Sequence, residues 1–244
     1  MPKLSLGEVF SVSRQSIHFQ ILLPFLLPTI FYILATSYLF QYLGEGLLLF
    51  QTGGDVLAFV YRWAVFILIA LLIYVILMIF AFNLSSILLR DFATIGKKNY
   101  MPSIKEAYSK IFKVLFVNIM AFVIFITGIL FYAIHPLLIL MGFFLAPFLA
   151  FVSPSIIIDN LPPFKAIKNS LILSLHYTIP SFILFIFSFI VLVAVPASIS
   201  ILLYYFSVDL LGTYIIYGIP IILMLFATYI SILLTVAYLN YRGY

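Results

Sequence analysis

The sequence predicts an all-α integral membrane protein: six transmembrane helices, short cytoplasmic amphipathic helices, and both termini cytoplasmic. Three observations predict it. Only 8% of the 244 residues are charged, 66% are hydrophobic, and the mean hydropathy is +1.31. A soluble domain carries about 25% charged residues and needs them to cover its surface. Six apolar runs each reach the roughly 20 residues that a helix needs to cross the hydrocarbon core. The basic residues gather between alternate runs, which is the pattern of positive-inside orientation.

The chain reads as one transmembrane domain, 1–244, with spans near 19–42, 62–89, 113–134, 136–158, 178–206 and 213–239. Ahead of the first span, Ser5-Leu6-Gly7-Glu8 fits a capping box. It opens an amphipathic helix over about 5–18, with a Leu6, Val9, Phe10, Ile17 stripe that Ser13 interrupts. Pro24 and Pro28 fall inside span one. The outer loop 43–61 holds Glu45, an apolar Leu47–Phe50 patch and a Gly53-Gly54-Asp55 turn, with Asp55 able to cap the helix that follows. Arg62 then stands near the start of span two.

The stretch 90–113 organises the rest. It carries Arg90, Lys97, Lys98, Lys105, Lys110 and Lys113, half of the Lys and Arg in the chain, and reads as the one large water-facing connection. Within it Ser103 and Glu106 fit a second capping box, opening an amphipathic helix over about 103–112. Ile104, Ala107, Tyr108, Ile111 and Phe112 fall on one face; Lys105, Ser109, Lys110 and Lys113 fall on the other. Spans three and four form a tight hairpin broken at His135-Pro136, because one helix over both would be far too long.

Span four contains Pro147 and Pro154, and Pro162-Pro163 ends the segment after it. A third amphipathic helix follows over about 163–176, with Phe164, Ile167, Leu171 and Leu175 opposite Lys165, Lys168 and Asn169. Pro180 and Pro196 lie in span five and Pro220 in span six. Each proline removes a backbone hydrogen bond and can bend its helix. The chain therefore parses as three units, each an amphipathic helix followed by a helical hairpin. Every basic residue except Arg62 falls on the side of the termini, and Glu45, Asp55 and Asp209 fall on the other. An even number of spans also puts both termini on one side.

Few residues suggest chemistry. There is no cysteine, which removes thiolate metal sites, disulfides and a cysteine nucleophile. No acidic or basic residue falls in the middle of a span, so a buried carboxylate for proton or cation pumping is missing. His18, His135 and His176 are dispersed; only His18 and His176 could approach Asp159. No hydrolase, metalloprotease or nucleotide-binding motif occurs, and nothing calls for a metal or cofactor. The net charge of +5 is placed to meet headgroups and does not mark nucleic acid.

One stretch, SPSIIIDNLPPFKAIKNSLILS, carries a likeness. Pro154 near the end of a span, Asp159 five residues on, and Ala166, Ile167 and Ser170 on the next helix resemble the membrane-domain family attached to some glycerophosphoryl diester phosphodiesterases. Stand-alone prokaryotic multi-helix proteins share that pattern. The opening LGEVFSVSRQSI also resembles the family's first helix, while Asp159 stands where the family more often has Glu. The resemblance implies an integral membrane module of unknown activity, and no phosphodiesterase chemistry, which belongs to a separate soluble domain. Read from the residues alone, Pro162-Pro163 stops one helix and starts the next, and Asp159 can cap or pair with Lys165 or Lys168.

Two functional readings stay open. One is a non-enzymatic module of a cell membrane, prokaryotic by the resemblance, serving as scaffold, assembly partner or lipid-interacting element. Its basic helices would meet anionic headgroups or a protein partner on the cytoplasmic face. The other is the permease subunit of a transporter of the ATP-binding-cassette type. In that case Lys105, Tyr108, Lys110 and Ile111 would seat on a separate ATPase.

Overall fold

The computed structural model describes residues 4–52, 56–96, 100–131, 146–206 and 213–243; at 40–60, 62, 121–122, 124–131, 146 and 202–206 the description is of backbone alone. Lys3, the Gly53–Asp55 turn, Lys97, Lys98, the His135-Pro136 break, residues 136–145 of the expected fourth span and Asp209 lie outside the described residues. So do the side chains of Glu45, Leu47–Phe50 and Arg62. Among the described residues the chain is helical, with no strand.

Helix α1 (Leu6–Gln15) starts as its sequence dictates. Ser5 N donates to Glu8 Oε2 (2.7 Å) and Ser5 Oγ accepts from Glu8 N (3.4 Å), closing the expected capping box. Ser13 turns inward with Val9, its hydroxyl bonded to the Val9 carbonyl. After a break at 16–18 the chain enters α2 (Phe19–Thr52), which contains Pro24 and Pro28. Pro24 cannot donate to the Gln20 carbonyl four residues back. Tyr100 does so instead, its hydroxyl lying 3.1 Å from that oxygen.

Helices α3 (Val56–Ile95) and α4 (Tyr100–Phe131) correct two expectations. The 40 residues of α3 reach about 60 Å at 1.5 Å per residue, well past the hydrocarbon core. Gly96, at φ +69°, ends it, and α4 begins four residues later. The described part of the connection 90–113 is thus almost wholly helical, as the end of α3 and the start of α4. No separate interfacial helix occupies 103–112, because α4 runs unbroken through it. Ser103 is no N-cap: it lies inside α4 and donates to Asp91 Oδ2 (3.1 Å).

The described part of the expected fourth span is not one helix. A 3-10 turn (Ala146–Leu149) leads through Ala150–Phe151 into the short α5 (Val152–Ile158). Asn160 follows at φ +53°, a left-handed conformation that Asn tolerates. Pro162 and Pro163 then start α6 (Pro163–His176), which breaks at Tyr177 before α7 (Thr178–Phe189). A π-helical turn (Ile190–Ala194) precedes Pro196 in α8 (Val195–Phe206), and another (Tyr214–Gly218) precedes Pro220 in α9 (Ile219–Arg242). At each place the proline's missing N–H coincides with a change in hydrogen-bond register. A Cβ on Gly218 would run into the Tyr214 ring, so the second π turn needs a residue without one.

Among the described residues four helical stretches are long and apolar enough to cross a membrane: Phe19–Leu39, Trp63–Ile95, Thr178–Ile201 and Tyr214–Arg242. They coincide with the expected spans one, two, five and six. Helix α9 sits against α2, α3 and α1. Leu4 N donates to Asn240 Oδ1 (2.8 Å) and Asn240 Nδ2 donates to the Leu4 carbonyl (3.1 Å), so the two ends of the described chain meet. Hydroxyl side chains share the interior with apolar ones, and many apolar side chains lie outside. Ser85, Ser86, Ser170, Ser174, Ser231 and Thr235 are buried, whereas Leu68, Leu71, Leu72, Ile119, Ile186 and Ile201 are exposed. Small hydroxyl residues let helices approach closely, and the outer surface is left apolar.

Candidate cavity and the ion pairs beside it

The expected site residues fall into two groups at one end of the bundle. The first joins α3, α4 and α5. Arg90 makes a two-pronged pair with Glu106, Nη1 to Oε1 and Nη2 to Oε2, both 2.9 Å. Its Nε and Nη2 also reach Asp91 Oδ1 at 3.0 and 2.8 Å. Lys110 Nζ lies 2.5 Å from Glu106 Oε1 and 2.6 Å from the Ile157 carbonyl. The Lys110 side chain is 5% exposed. The expectation that Lys110 stands on the water-facing side of its helix is therefore corrected. A buried ammonium needs partners, and these lie one helical turn back and on α5.

The electrostatics follow from this geometry. The hydrogen bonds from Arg90, and then those of Lys110, hold the Glu106 carboxyl down to about 2 despite partial burial. Burial pushes the Lys110 ammonium below its ordinary value, and Glu106 offsets part of that. Ile111 also turns inward, with Ala107 and Val114, while Tyr108 and Phe112 stay exposed. The expected apolar stripe of this helix is thus split between an inner and an outer face. Lys105 is exposed.

The second group joins α5, α6 and α9. Asp159 Oδ2 accepts from Tyr238 OH (2.7 Å) and pairs with Arg242 Nη2 (2.7 Å). Asn169 Nδ2 donates to Ser155 Oγ (2.9 Å) and to Tyr238 OH (3.0 Å). These partners of Asp159 come from the far end of the chain, whereas Lys165 and Lys168 stand exposed. Ala166 and Ser170 face inward. Ser170 Oγ donates to the Phe148 carbonyl (2.7 Å) and accepts from Phe151 N (3.1 Å), and Ser174 Oγ donates to the Pro147 carbonyl (3.2 Å). Hydroxyls on α6 thereby satisfy the backbone of the irregular segment 146–151, which has few helical bonds of its own.

That role gives a prediction. Ser170→Ala removes both bonds and leaves a buried carbonyl and a buried N–H unpaired. We expect a loss of about 2–3 kcal/mol, or a fall of about 4–10 °C in the midpoint of thermal unfolding in detergent. A shift under 1–2 °C (about 0.5 kcal/mol) would mean the segment does not depend on this hydroxyl.

Between these groups and the rest of the bundle lies a cavity of about 410 Å³. Its walls come from α3, α4, the irregular segment with α5, and α9. Ser86, Asn118, Ser153, Ser231 and Thr235 supply its polar atoms, and Pro154 and Ile157 form part of its floor. Ser86 and Thr235 share a hydrogen bond (2.9 Å), as do Ser85 and Ser231, pinning α3 to α9. The sequence reading missed Asn83, Asn118, Asn169, Tyr238 and Arg242. The i, i+4 pair Tyr238–Arg242 was the one local signal for them. Among the described residues no group of three or more His, Asp or Glu could hold a metal ion. The cavity can enclose an apolar molecule and hydrogen-bond a few neutral polar atoms.

No family model matches this sequence, and no curated protein or solved structure matches it.

Proposed function

We propose that the chain is a non-enzymatic, six-span module of a prokaryotic plasma membrane that binds anionic lipid on its cytoplasmic face. The third and fourth spans would be 113–134, which takes in the later part of α4, and 136–158, with both termini cytoplasmic. The resemblance to the membrane-domain family points the same way. One observation carries the reading: the apolar faces of the basic helices are turned outward. Helix α6 buries Ala166, Ser170 and Ser174 and exposes Phe164, Leu171 and Leu175 beside the exposed Lys165 and Lys168. The start of α4 likewise exposes Tyr108 and Phe112 beside Lys105 and Lys113. Exposed apolar side chains flanked by lysines suit the boundary between acyl chains and anionic headgroups.

The test is lipid retention. The protein is extracted gently from vesicles containing phosphatidylglycerol and weighed by native mass spectrometry. Replacing Lys105, Lys113, Lys165 and Lys168 by Gln should weaken retention of the anionic lipid at least about tenfold, since each lysine near a charged surface contributes about 1 kcal/mol. Unchanged retention would sink the proposal. A stoichiometric ATPase carried along from the native membrane would favour the permease reading. Tyr108 would then be the exposed contact, and the buried Ile111 would not.

A further inference from the structure

We propose that the cavity between α3, α4, α5 and α9 is a binding site for an uncharged lipid bearing a hydroxyl or ester group, of the diacylglycerol kind. The inference rests on the membrane reading above and adds a ligand class to it. Size comes first. A volume of about 410 Å³ lies in the range of ligand pockets, and well above an engineered apolar cavity that takes up benzene.

The walls decide the chemistry. Among the described residues no charged side chain lines the cavity; its polar atoms are hydroxyls and a carboxamide among Val75, Met78, Phe82 and Leu234. Lys110, bonded to the carbonyl of the lining residue Ile157, and Arg90 are already matched by Glu106, Asp91 and that carbonyl. A phosphate headgroup would have to break those pairs or enter unpaired, at a cost of several kcal/mol. A neutral hydroxyl or ester meets acceptors and donors it can use. Ala150 lines the cavity, and its carbonyl lacks the usual donor four residues on, because that residue is Pro154.

The irregular backbone points to the same place. Non-helical backbone at membrane depth persists where protein buries it or where it lines a cavity. Here Ala150 does the latter. A separate groove between α2 and α3 is also lined by Tyr74 and runs along α3 to Phe66. From Phe66 to Ser86 the two features follow α3 for about 30 Å, the thickness of the hydrocarbon core. An acyl chain fits that length, and a small polar ligand does not.

The full chain is reconstituted in vesicles with trace diacylglycerol or phosphatidylglycerol, each carrying a diazirine on an acyl chain, and labelled peptides are mapped by mass spectrometry. The diacylglycerol probe should label the 74–86 and 231–235 walls, and unlabelled diacylglycerol should compete. Ser153→Phe, which fills the cavity from a side chain with room beside it, should cut that labelling about tenfold or more. Competition on the unaltered protein keeps the test valid if the variant folds poorly. Equal labelling of these walls by phosphatidylglycerol, labelling that unlabelled lipid does not compete, or no labelling there by either probe would each overturn the site. Loss of cavity labelling with anionic-lipid retention intact removes this inference alone. The reverse result removes the surface reading alone.

Discussion

Glu106→Gln is expected to lower the midpoint of thermal unfolding in detergent by about 6–12 °C, corresponding to about 3 kcal/mol. The substitution keeps the shape of the side chain and removes its charge. Two cations then lose their shared counter-ion: Arg90 keeps Asp91, but Lys110 keeps only the Ile157 carbonyl. The ammonium is nearly shielded from water, so an unpaired charge there is costly, whereas an exposed pair would cost under about 1 kcal/mol. Lys110→Met should be much milder, because it removes the desolvated charge itself and leaves Glu106 its fork to Arg90. The double variant should regain much of what Glu106→Gln loses. If Glu106→Gln is no worse than Lys110→Met, the network is an ordinary surface pair.

The same carboxylate sets a pH dependence. Its folded-state value is depressed, to about 2 from an ordinary 4.5. Its contribution to stability is therefore complete above about 4.5 and is lost as pH falls toward 2. Because the carboxylate is partly exposed and screened by water, the loss is on the order of 1–2 kcal/mol. Thermal midpoints taken between pH 6 and pH 3 (roughly spanning that window) should fall in the native protein. They should fall less in Glu106→Gln, which has no proton to take up at that position.

What the sequence made legible was local or periodic. The Ser5–Glu8 box closes within four residues and forms as expected, and four of the apolar runs appear as helices fit to span. The same box pattern at Ser103 and Glu106 failed, because Arg90 and Asp91 offer those side chains charged partners that lie apart in sequence. Lys110 was misplaced for a related reason. Helical register puts it on a face with Lys105 and Lys113, and only the position of α5 shows that this edge of the face is covered. Prolines in span four marked the irregular segment, yet the Ser170 and Ser174 hydroxyls that stabilise it lie on the next helix. The cavity left no signal of its own. It is bounded by side chains from four separate stretches, and in a chain this apolar a Ser or Thr on a wall reads like one at any close helix contact.

Asp159→Ala should cost about 3 kcal/mol, the second large effect, and the cost should exceed that of removing either partner's contact alone. The Asp159 side chain is 6% exposed and takes Tyr238 OH and Arg242 Nη2 on one oxygen. Tyr238 in turn accepts from Asn169, so this carboxylate ties the end of α5 and one face of α6 to the last turn of α9. Tyr238→Phe breaks the neutral-to-charged bond to Asp159 and removes one acceptor of Asn169, which keeps Ser155, and should cost about 1.5–3 kcal/mol. Arg242 is the more exposed member, and Arg242→Gln should cost about 1 kcal/mol. Asp159→Asn should fall between, since its amide oxygen can still accept from Tyr238 without balancing Arg242. Hydrogen exchange separates this tie from a local cap. With α5 released, amides of 152–158 and 166–174 should exchange faster in Asp159→Ala, and the irregular wall of the cavity should loosen with them. Faster exchange confined to 239–243 would mean that the carboxylate holds the end of α9 and nothing more.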